Sequence, residues 1–270
     1  MAIAVRRAEW APGLVERLRV MGRVVTALML RETKTRYGRS RFGYLWAIVE
    51  PMVYVGFFLA IRSFLRDSAG AFGDSMMLFL MTGLITVRVF LAVSSFTSAA
   101  ISSNRALLAY PPVKPVDVIL ARFLLESLTM LFVIVIFYGV LSIVIERNVM
   151  PNHGAFVSGL LVTYLLAAGI GVFNAVATVL APTWQQFWTI LRLPIFILSG
   201  IFYLPTGLAP QYQDVLWWNP VLHCVEWMRT GAYVTYDPLL DHAYPVVFAL
   251  VALVAGLALE RIYRFRLLSA

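Results

Sequence analysis

Five charged residues lie within or near the ends of long apolar segments, and they are the residues of this sequence best placed to do chemistry. They are Glu50, Arg88, Arg122, Glu126 and Arg192. A charge at membrane depth costs a few kcal/mol and usually faces protein or a water-filled cavity. Ion pairing and contact with a polar ligand are therefore both open for these side chains.

The spacing of these charges favours particular pairings. Arg122 and Glu126 are one helical turn apart, so they can neutralise each other along one face, and we favour a structural role for that pair. Glu50 precedes Pro51, which kinks a helix close to the carboxylate. A pair between Glu50 and Arg88 is geometrically possible.

Nucleotide hydrolysis by this chain alone is excluded by its lysines. A phosphate-binding loop ends in Gly-Lys-Ser/Thr, because backbone N–H groups and the lysine hold the phosphates. The only two lysines, Lys34 and Lys114, follow Thr33 and Val113. The chain therefore has no catalytic site for ATP, and we expect it to be a non-enzyme that binds no cofactor itself.

Metal and redox chemistry are poorly supported as well. Cys224 is the only cysteine, so the chain forms no intramolecular disulfide and no cysteine metal cluster. His223 and Glu226 can share a helix face, but two ligands do not make a metal site. We expect them to be interfacial polar residues satisfied by their neighbours or by water.

Composition places the elements that carry these residues in a membrane. The 270 residues are 61% hydrophobic and 13% charged, with a mean hydropathy of +0.82, far from the values of soluble domains. The net charge of +8 comes from basic residues that crowd at segment edges, which indicates anionic lipid or an acidic partner and no nucleic acid. We expect one all-α membrane domain over 1–270.

Six apolar segments are long enough to cross a bilayer, which needs about 20 helical residues. They are 43–62, 76–103, 118–145, 155–180, 187–204 and 244–262. The fifth is short and is interrupted by Pro194 and Gly200. We therefore predict a six-span bundle over 43–262.

The charge bias of the connecting segments predicts the orientation. With the N-terminus inside, the inner segments hold fifteen Lys/Arg, ten of them up to Arg41, whereas the outer segments hold four. By the positive-inside rule both termini lie in the cytoplasm. The N-terminus lacks the apolar run of a secretory signal, so we expect it to stay on the chain.

Two regions lie outside the predicted spans. Over 12–41, apolar residues recur at helical spacing between arginines, which predicts an amphipathic helix in the headgroup plane, although a solvated helix would show the same spacing. The polar but aromatic stretch 205–243 holds Trp217, Trp218 and Trp227. These residues favour short helices that re-enter or rest on the outer interface.

Three blocks of sequence resemble the KpsM-like permeases of capsular polysaccharide exporters, in the type-2 ABC exporter family. The first is LRETKTRYGRSRFGYLWAIVEP (30–51), the second YPPVKPVDVILARFLLE (110–126), and the third LSGIFYLPTGLAP…WWNPVLHCVEWMRTG within 198–231. They follow the order of that family and touch most of the chain.

The resemblance implies a homodimer in the bacterial inner membrane through which an acidic, lipid-linked polysaccharide would pass from cytoplasm to periplasm. Two copies of a separate ABC ATPase, which bind the ATP and Mg, would dock on the cytoplasmic side. A periplasmic co-polymerase-type adaptor and an outer-membrane channel are further expected partners, together with membrane lipid.

The resemblance also implies roles for individual residues. Spans one and five would line the channel, and the predicted sugar or pathway contacts are Tyr44, Trp46, Glu50, Tyr54, Arg88, Trp188, Phe196 and Phe202. Arg36, Arg39 and Arg41 would bind a lipid or glycan headgroup at the cytoplasmic mouth. The ATPase would be coupled through Arg31, Glu32, Arg105, Tyr110 and Lys114, and an outer gate would contain Trp217, Trp218 and Trp227.

Other interpretations of the same residues stay open. The aromatic residues also suit an interfacial belt or core packing, and the basic mouth also satisfies the positive-inside rule without a ligand. The polymer could equally be O antigen or teichoic acid on the same architecture. An ion-coupled secondary transporter would need internal repeats, which the sequence does not display, and a membrane-embedded transferase would need convergent acidic or histidine residues.

Overall fold

The computed structural model describes residues 13–37, 76–110, 113–145 and 148–269, together with Val49 and Val53. Every regular element in these ranges is helical. The first predicted span, 43–62, lies outside the described residues apart from those two valines.

Ten helices are used below. The first five are α1 (Leu14–Tyr37), α2 (Met76–Ser98), α3 (Ala100–Ser103), α4 (Arg105–Leu108) and α5 (Pro115–Ile145). The others are α6 (His153–Leu180), α7 (Thr183–Ile197), α8 (Pro210–Trp217), α9 (Pro220–Ala232) and α10 (Ala243–Ser269), and a 3₁₀ turn covers Pro205–Gly207.

Helix α6 is the central element of the described bundle, because α2, α9 and α10 all pack against it. The close approach depends on small residues. A Cβ on Gly169 would collide with the Ala249 carbonyl oxygen of α10, and one on Gly171 would come within 2.7 Å of Thr97 in α2. Small residues at such positions let helix backbones approach closely where lipid provides little hydrophobic drive.

Two hydrophobic clusters fill the bundle. The larger combines α2, α5, α6 and α9 with Trp188 of α7. The smaller gathers Val25 and Leu28 of α1 with the short helices α3 and α4, the start of α5, and the ends of α6 and α10. The second cluster fixes α1 to one end of the bundle.

Among the described residues, four helices are long and apolar enough to cross a membrane. They are Leu78–Ser98, Pro115–Ile143, His153–Leu180 and Ala243–Leu268, which confirms the second, third, fourth and sixth predicted spans. The predicted second span ran on to residue 103, but α2 ends at Ser98 and two short helices follow it.

The fifth predicted span is shorter than expected. Helix α7 has 15 residues, about 22 Å at the usual rise, and it contains Pro194. The chain leaves α7 through Gly200, whose φ of +72° lies in the left-handed region that favours glycine. The described fifth segment is therefore a helix of 183–197 followed by a turn, and the predicted interruption at Gly200 is present.

Between this turn and α10, the 205–243 region forms the short helices predicted from its composition. Helices α8 and α9 both begin with proline, at Pro210 and Pro220, where the missing N–H costs nothing. The side chain of Asn219 caps α9 by accepting a hydrogen bond from Val221 N–H.

Helix α1 forms as predicted over most of the 12–41 region. The turn that holds Val25 and Leu28 is buried against the bundle, whereas Leu14 and Leu18 are exposed. The apolar stripe therefore divides into a packed half and a free half.

Candidate functional site

A buried polar cluster connects α1 to the bundle, and we call Glu32, Asn104 and Arg122 the α1 polar cluster. The Oε1 atom of Glu32 lies 2.7 Å from Arg122 Nε and 3.2 Å from Asn104 Nδ2. All three residues are buried, with Glu32 only 8% exposed. One carboxylate oxygen thus accepts hydrogen bonds from α5 and from the junction between α3 and α4.

The charges of this cluster favour the ionised carboxylate. Burial alone would raise the pKa of Glu32, but the hydrogen bond and positive charge of Arg122, with a further hydrogen bond from Asn104, outweigh it and hold that pKa below its usual value. The ion pair is therefore formed at neutral pH.

Arg122 has a partner that sequence spacing did not indicate. Its guanidinium pairs with Glu32, 90 residues away in sequence, and the pairing with Glu126, one turn along the same helix, stays a prediction. The ring of Phe96 lies 4.5 Å from the guanidinium carbon, so a cation–π contact with α2 also holds Arg122 in place. The packing of α1 against α5 supplies Arg122 with a carboxylate that helical spacing alone could not reveal.

Of the residues predicted to couple to an ATPase, four are exposed and one is not. Arg31, Arg105, Tyr110 and Lys114 are all solvent-accessible, and Tyr110 is 62% exposed. Glu32 is the exception, since it belongs to the α1 polar cluster. Its side chain faces the bundle and not the surface.

A second buried polar cluster lies in the C-terminal part of the sequence, in the region between α7 and α10. We call Arg229, Glu226 and Tyr236 the outer polar cluster. Arg229 is fully buried, and its Nη1 lies 2.9 Å from Glu226 Oε1. Glu226 also accepts hydrogen bonds from the Tyr236 hydroxyl at 2.9 Å and from Leu239 N–H at 3.1 Å.

Arg229 also contacts two further points of the bundle. Its Nη2 donates to the Gly200 carbonyl oxygen at 2.7 Å, just after α7 ends, where a cation also complements the helix dipole. Its guanidinium carbon lies 3.5 Å from the centroid of the Phe79 ring, at the start of α2. Arg229 therefore holds the end of α7 and the start of α2 directly, and its partner Glu226 bonds the loop after α9.

His223 and Glu226 bind different partners and do not form a shared ligand pair. His223 Nδ1 accepts a hydrogen bond from Asp241 N–H at 3.1 Å, so Nε2 carries the proton that it donates to the Trp217 carbonyl oxygen at 2.8 Å. Burial lowers the pKa of His223 below its ordinary value, although the Trp217 carbonyl and Asp241 oppose that shift. Among the described residues no group of three or more His, Cys, Asp or Glu side chains is placed to hold a metal ion.

The predicted outer tryptophans form part of an aromatic group. The Trp217 ring lies 4.6 Å from Tyr244 and 5.5 Å from His223, measured between centroids. Trp218 is 70% exposed, and its carbonyl accepts the Tyr244 hydroxyl hydrogen bond at 2.9 Å. Trp227 lies apart from this group, with its ring 4.5 Å from His242.

The predicted pathway residues of the fifth predicted span differ in accessibility. Trp188 is only 6% exposed and packs within the larger hydrophobic cluster, so its placement favours a packing role. Phe202 is 48% exposed, and its ring makes a T-shaped contact with Phe196 at 5.9 Å. Of these three aromatic residues, Phe202 has the most accessible ring.

Two of the three arginines predicted within or near the ends of spans, Arg88 and Arg192, are half-buried, on α2 and α7 respectively. Residues on either side of Arg88, namely Val87 and Val89, are fully buried. Several predicted site residues lie outside the described ranges: Tyr44, Trp46, Glu50, Tyr54, Arg39 and Arg41. Arg36 belongs to the last turns of α1, but its side chain is not described.

Sequence reasoning did not identify the outer polar cluster as a unit. The signal was present, because Glu226 and Arg229 are three residues apart on one helix face. It pointed to a surface pair, since both residues fell in a segment assigned to the outer interface. Burial of the pair depends on α2 and on the turn after α7, which lie far away in sequence.

The long apolar helices, the close packing through small residues and the buried ion pairs are those of a polytopic α-helical membrane protein. The ABC-2 type transporter family matches residues 23–233, and the chain belongs to this family of transporter membrane subunits.

Three similar proteins cover nearly the whole chain. The polysialic acid transport protein KpsM of Escherichia coli is 35% identical over 240 residues, which are 88% of this chain and 92% of that protein. The capsule polysaccharide export inner-membrane proteins BexB of Haemophilus influenzae and CtrC of Neisseria meningitidis serogroup B are 30% and 32% identical, each over 90% of this chain and 92% of their own. The resemblance inferred from the three sequence blocks is confirmed.

Proposed function

We propose that this chain is the membrane subunit of an ATP-driven exporter that moves a capsular polysaccharide from the cytoplasm to the periplasm. The observation that carries the proposal is the near end-to-end similarity to three proteins whose names state polysialic acid or capsule polysaccharide transport. The chain has no phosphate-binding lysine, so ATP and Mg are bound by a separate ATPase subunit.

Two copies of the chain form the channel in this proposal, because six spans hardly enclose a path for a polymer. Both termini lie in the cytoplasm, where the fifteen inner Lys/Arg satisfy the positive-inside rule. The first span is 43–62, and the fifth is built from α7 and the turn after it. Since α7 is about 22 Å long against a hydrocarbon core of about 30 Å, the 198–204 segment completes the crossing.

The ATPase docks where the exposed residues Arg31, Arg105, Tyr110 and Lys114 lie. Basic and aromatic side chains on that face suit an acidic protein surface. The mouth of the pathway lies close by in sequence, at Arg36, Arg39 and Arg41. Guanidinium groups there pair bidentately with a carboxylate or phosphate of the glycan or its lipid anchor.

Aromatic rings line the pathway, since sugar rings stack their C–H faces on aromatic side chains. The accessible Phe202 supports this role in the fifth span, and Tyr44, Trp46 and Tyr54, with Glu50, are its counterparts in the first. At the periplasmic end, the 205–243 region acts as the gate, and the exposed Trp218 contacts the emerging glycan or a periplasmic adaptor. An outer-membrane channel takes the polymer onward.

A first experiment tests ATP dependence in trans. The tagged chain is solubilised gently from its native cells, and copurifying proteins are identified by mass spectrometry. A stoichiometric ATPase with a phosphate-binding loop is expected. A dimeric, intact chain that copurifies with no ATPase would contradict the proposal and favour an ion-coupled secondary transporter.

A second experiment identifies the polymer. The gene is deleted, and surface glycan is analysed before and after complementation with the wild-type chain. Loss and recovery of an acidic, lipid-linked capsule is the expected result. Recovery of O antigen or teichoic acid instead would keep the architecture and replace the substrate.

A further inference from the structure

The segment that contains α4 and leads to the start of α5 is anchored at both ends. We call its described residues, 105–110 with 113 and 114, the surface segment. Arg105, Tyr110 and Lys114 in it are exposed, whereas Leu108 is buried. Its first end follows Asn104, which is buried and interrupts the helical path between α3 and α4 with φ −118° and ψ 21°.

The first anchor is the α1 polar cluster. Asn104 Nδ2 donates to Glu32 Oε1 at 3.2 Å and to the Ala100 carbonyl oxygen at 3.0 Å. The same Glu32 oxygen accepts from Arg122 Nε at 2.7 Å. A single carboxylate on α1 therefore fixes the start of the surface segment and the side of α5 together.

The second anchor lies where α5 begins. The buried side chain of Asp117 accepts a hydrogen bond from Lys114 N–H at 2.9 Å. Asp117 also interacts electrostatically with Lys114 and with Arg264 of α10, and Arg264 is held by two hydrogen bonds to Glu260 at 3.0 and 3.1 Å. The end of the surface segment is thus fixed to the first turn of α5, where Asp117 also feels the charge of Arg264 on α10.

An ion pair at this depth is hard to explain by stability alone. Desolvation of two charges offsets much of their attraction, and well-packed apolar residues of similar volume often stabilise as much or more. Apolar side chains cannot, however, hold three elements through directed hydrogen bonds. Val25 and Leu28 already pack α1 against the bundle, and Glu32 is buried on the same face. The ion pair therefore adds a fixed position of α1 along α5 to a contact that apolar residues alone could have made.

We propose that Glu32, Arg122 and Asn104 are positioning residues that make α1, the surface segment and α5 move as one body when the ATPase acts on the exposed face. This inference rests on the proposed function of the chain. A displacement of the surface segment then reaches α5, a membrane-spanning helix, through directed contacts. Without the cluster, the ATPase would move the segment while α5 stayed in place.

The test is a separation of ATP hydrolysis from export. Glu32→Gln removes the charge and keeps the shape, and Glu16→Gln, an exposed position on the same helix, is the matched control. In Glu32→Gln, surface polymer per membrane-inserted complex should fall about tenfold, within the usual range of a coupling free energy. ATP hydrolysis by the purified complex should stay close to the wild-type rate, and Glu16→Gln should alter neither.

Two further variants keep the proposal falsifiable if Glu32→Gln assembles poorly. Asn104→Ala breaks the link to the surface segment and leaves the Glu32–Arg122 pair, so a smaller loss in the same direction is expected. The double exchange Glu32→Arg with Arg122→Glu should export more than either single exchange. Export per complex that stays at the wild-type level in both Glu32→Gln and Asn104→Ala would overturn the proposal, as would losses fully explained by a lower amount of complex.

Hydrogen exchange separates this inference from the proposed function. In the purified chain, Glu32→Gln should speed exchange at amides 26–37 and 100–110 together, whereas Glu16→Gln should not. If the wild-type chain exports no polymer, the proposed function fails, but the exchange result still decides whether the cluster joins these segments. Unchanged exchange at 100–110 in Glu32→Gln would refute the mechanical link itself.

Discussion

Replacing Arg229 by glutamine should destabilise the protein strongly. The side chain is fully buried, pairs with Glu226 at 2.9 Å and donates to the Gly200 carbonyl at 2.7 Å. Removing one partner of a buried ion pair costs about 3–5 kcal/mol, because the other charge is left uncompensated. The cation–π contact with Phe79 belongs to the same loss and is not added to it.

Thermal unfolding in detergent, followed by tryptophan fluorescence, measures this effect. For a domain of 150–250 residues, 1 kcal/mol shifts Tm by about 2–4 °C, so Arg229→Gln should lower Tm by roughly 6–20 °C. Arg261→Gln is the matched control, since Arg261 is exposed on α10 and surface substitutions usually stay within about 0.5 kcal/mol. If the Tm of Arg229→Gln lay within about 2 °C of that of the control, the anchoring role of Arg229 would be refuted.

A pair of additional measurements tests the reasoning behind that magnitude. Burial raises the pKa of Glu226, and Arg229 opposes that rise, so losing Arg229 should raise this pKa further. A carboxyl with a raised folded-state pKa stabilises the fold below its unfolded pKa and loses that stability as pH rises through the folded pKa. The deficit of Arg229→Gln should therefore shrink on acidification, and Glu226→Gln should be less than additive with Arg229→Gln.

Three further changes test separate features of the fold. Gly169→Ala should lower Tm by several degrees, because its Cβ would collide with α10. Gly139 has open space around it, so Gly139→Ala should leave Tm unchanged or raise it. Thermal unfolding of both variants checks this difference. Phe202→Ala should reduce polymer export and leave Tm normal. Trp188→Ala should lower the free energy of unfolding by about 3–5 kcal/mol, because it leaves a cavity in the core. Equal Tm values for the two variants would contradict the assignment of Trp188 as a packing residue. The pKa of His223 lies below its ordinary value, so its stabilisation is complete above the unfolded pKa of about 6.5 and is lost as pH falls through the folded value. Hydrogen-exchange protection factors of amides 217–223, which are corrected for the slower intrinsic exchange at low pH, should fall on acidification, and constant protection factors would contradict this.

Much of the architecture follows from one-dimensional patterns. The apolar runs at 118–145 and 155–180 predict two long helices, and α5 and α6 begin within three residues of the predicted positions. Hydropathy works here because a spanning helix must satisfy its backbone internally and present apolar side chains along its whole length. The class of protein and its family were accessible for the same reason, since the motifs are local stretches of sequence.

Hydropathy was less informative where the helix is interrupted. The 187–204 stretch is apolar throughout, yet α7 ends at Ile197 and the chain turns at Gly200. Pro194 and Gly200 signalled a break, but not its position. The turn at Gly200 is fixed by Arg229 of the later helix α9, which donates a hydrogen bond to the Gly200 carbonyl oxygen.

The sequence by itself determined which residues are apolar, which share a helix face, and on which side the basic residues concentrate. The tertiary structure alone decided which faces meet. Arg122 pairs with Glu32 at a separation of 90 residues, and Arg229 reaches Phe79 across 150 residues. The helical period fixes the direction of a side chain around its own axis, whereas the partner it meets depends on how separate helices pack, and for a buried charge that partner decides its role.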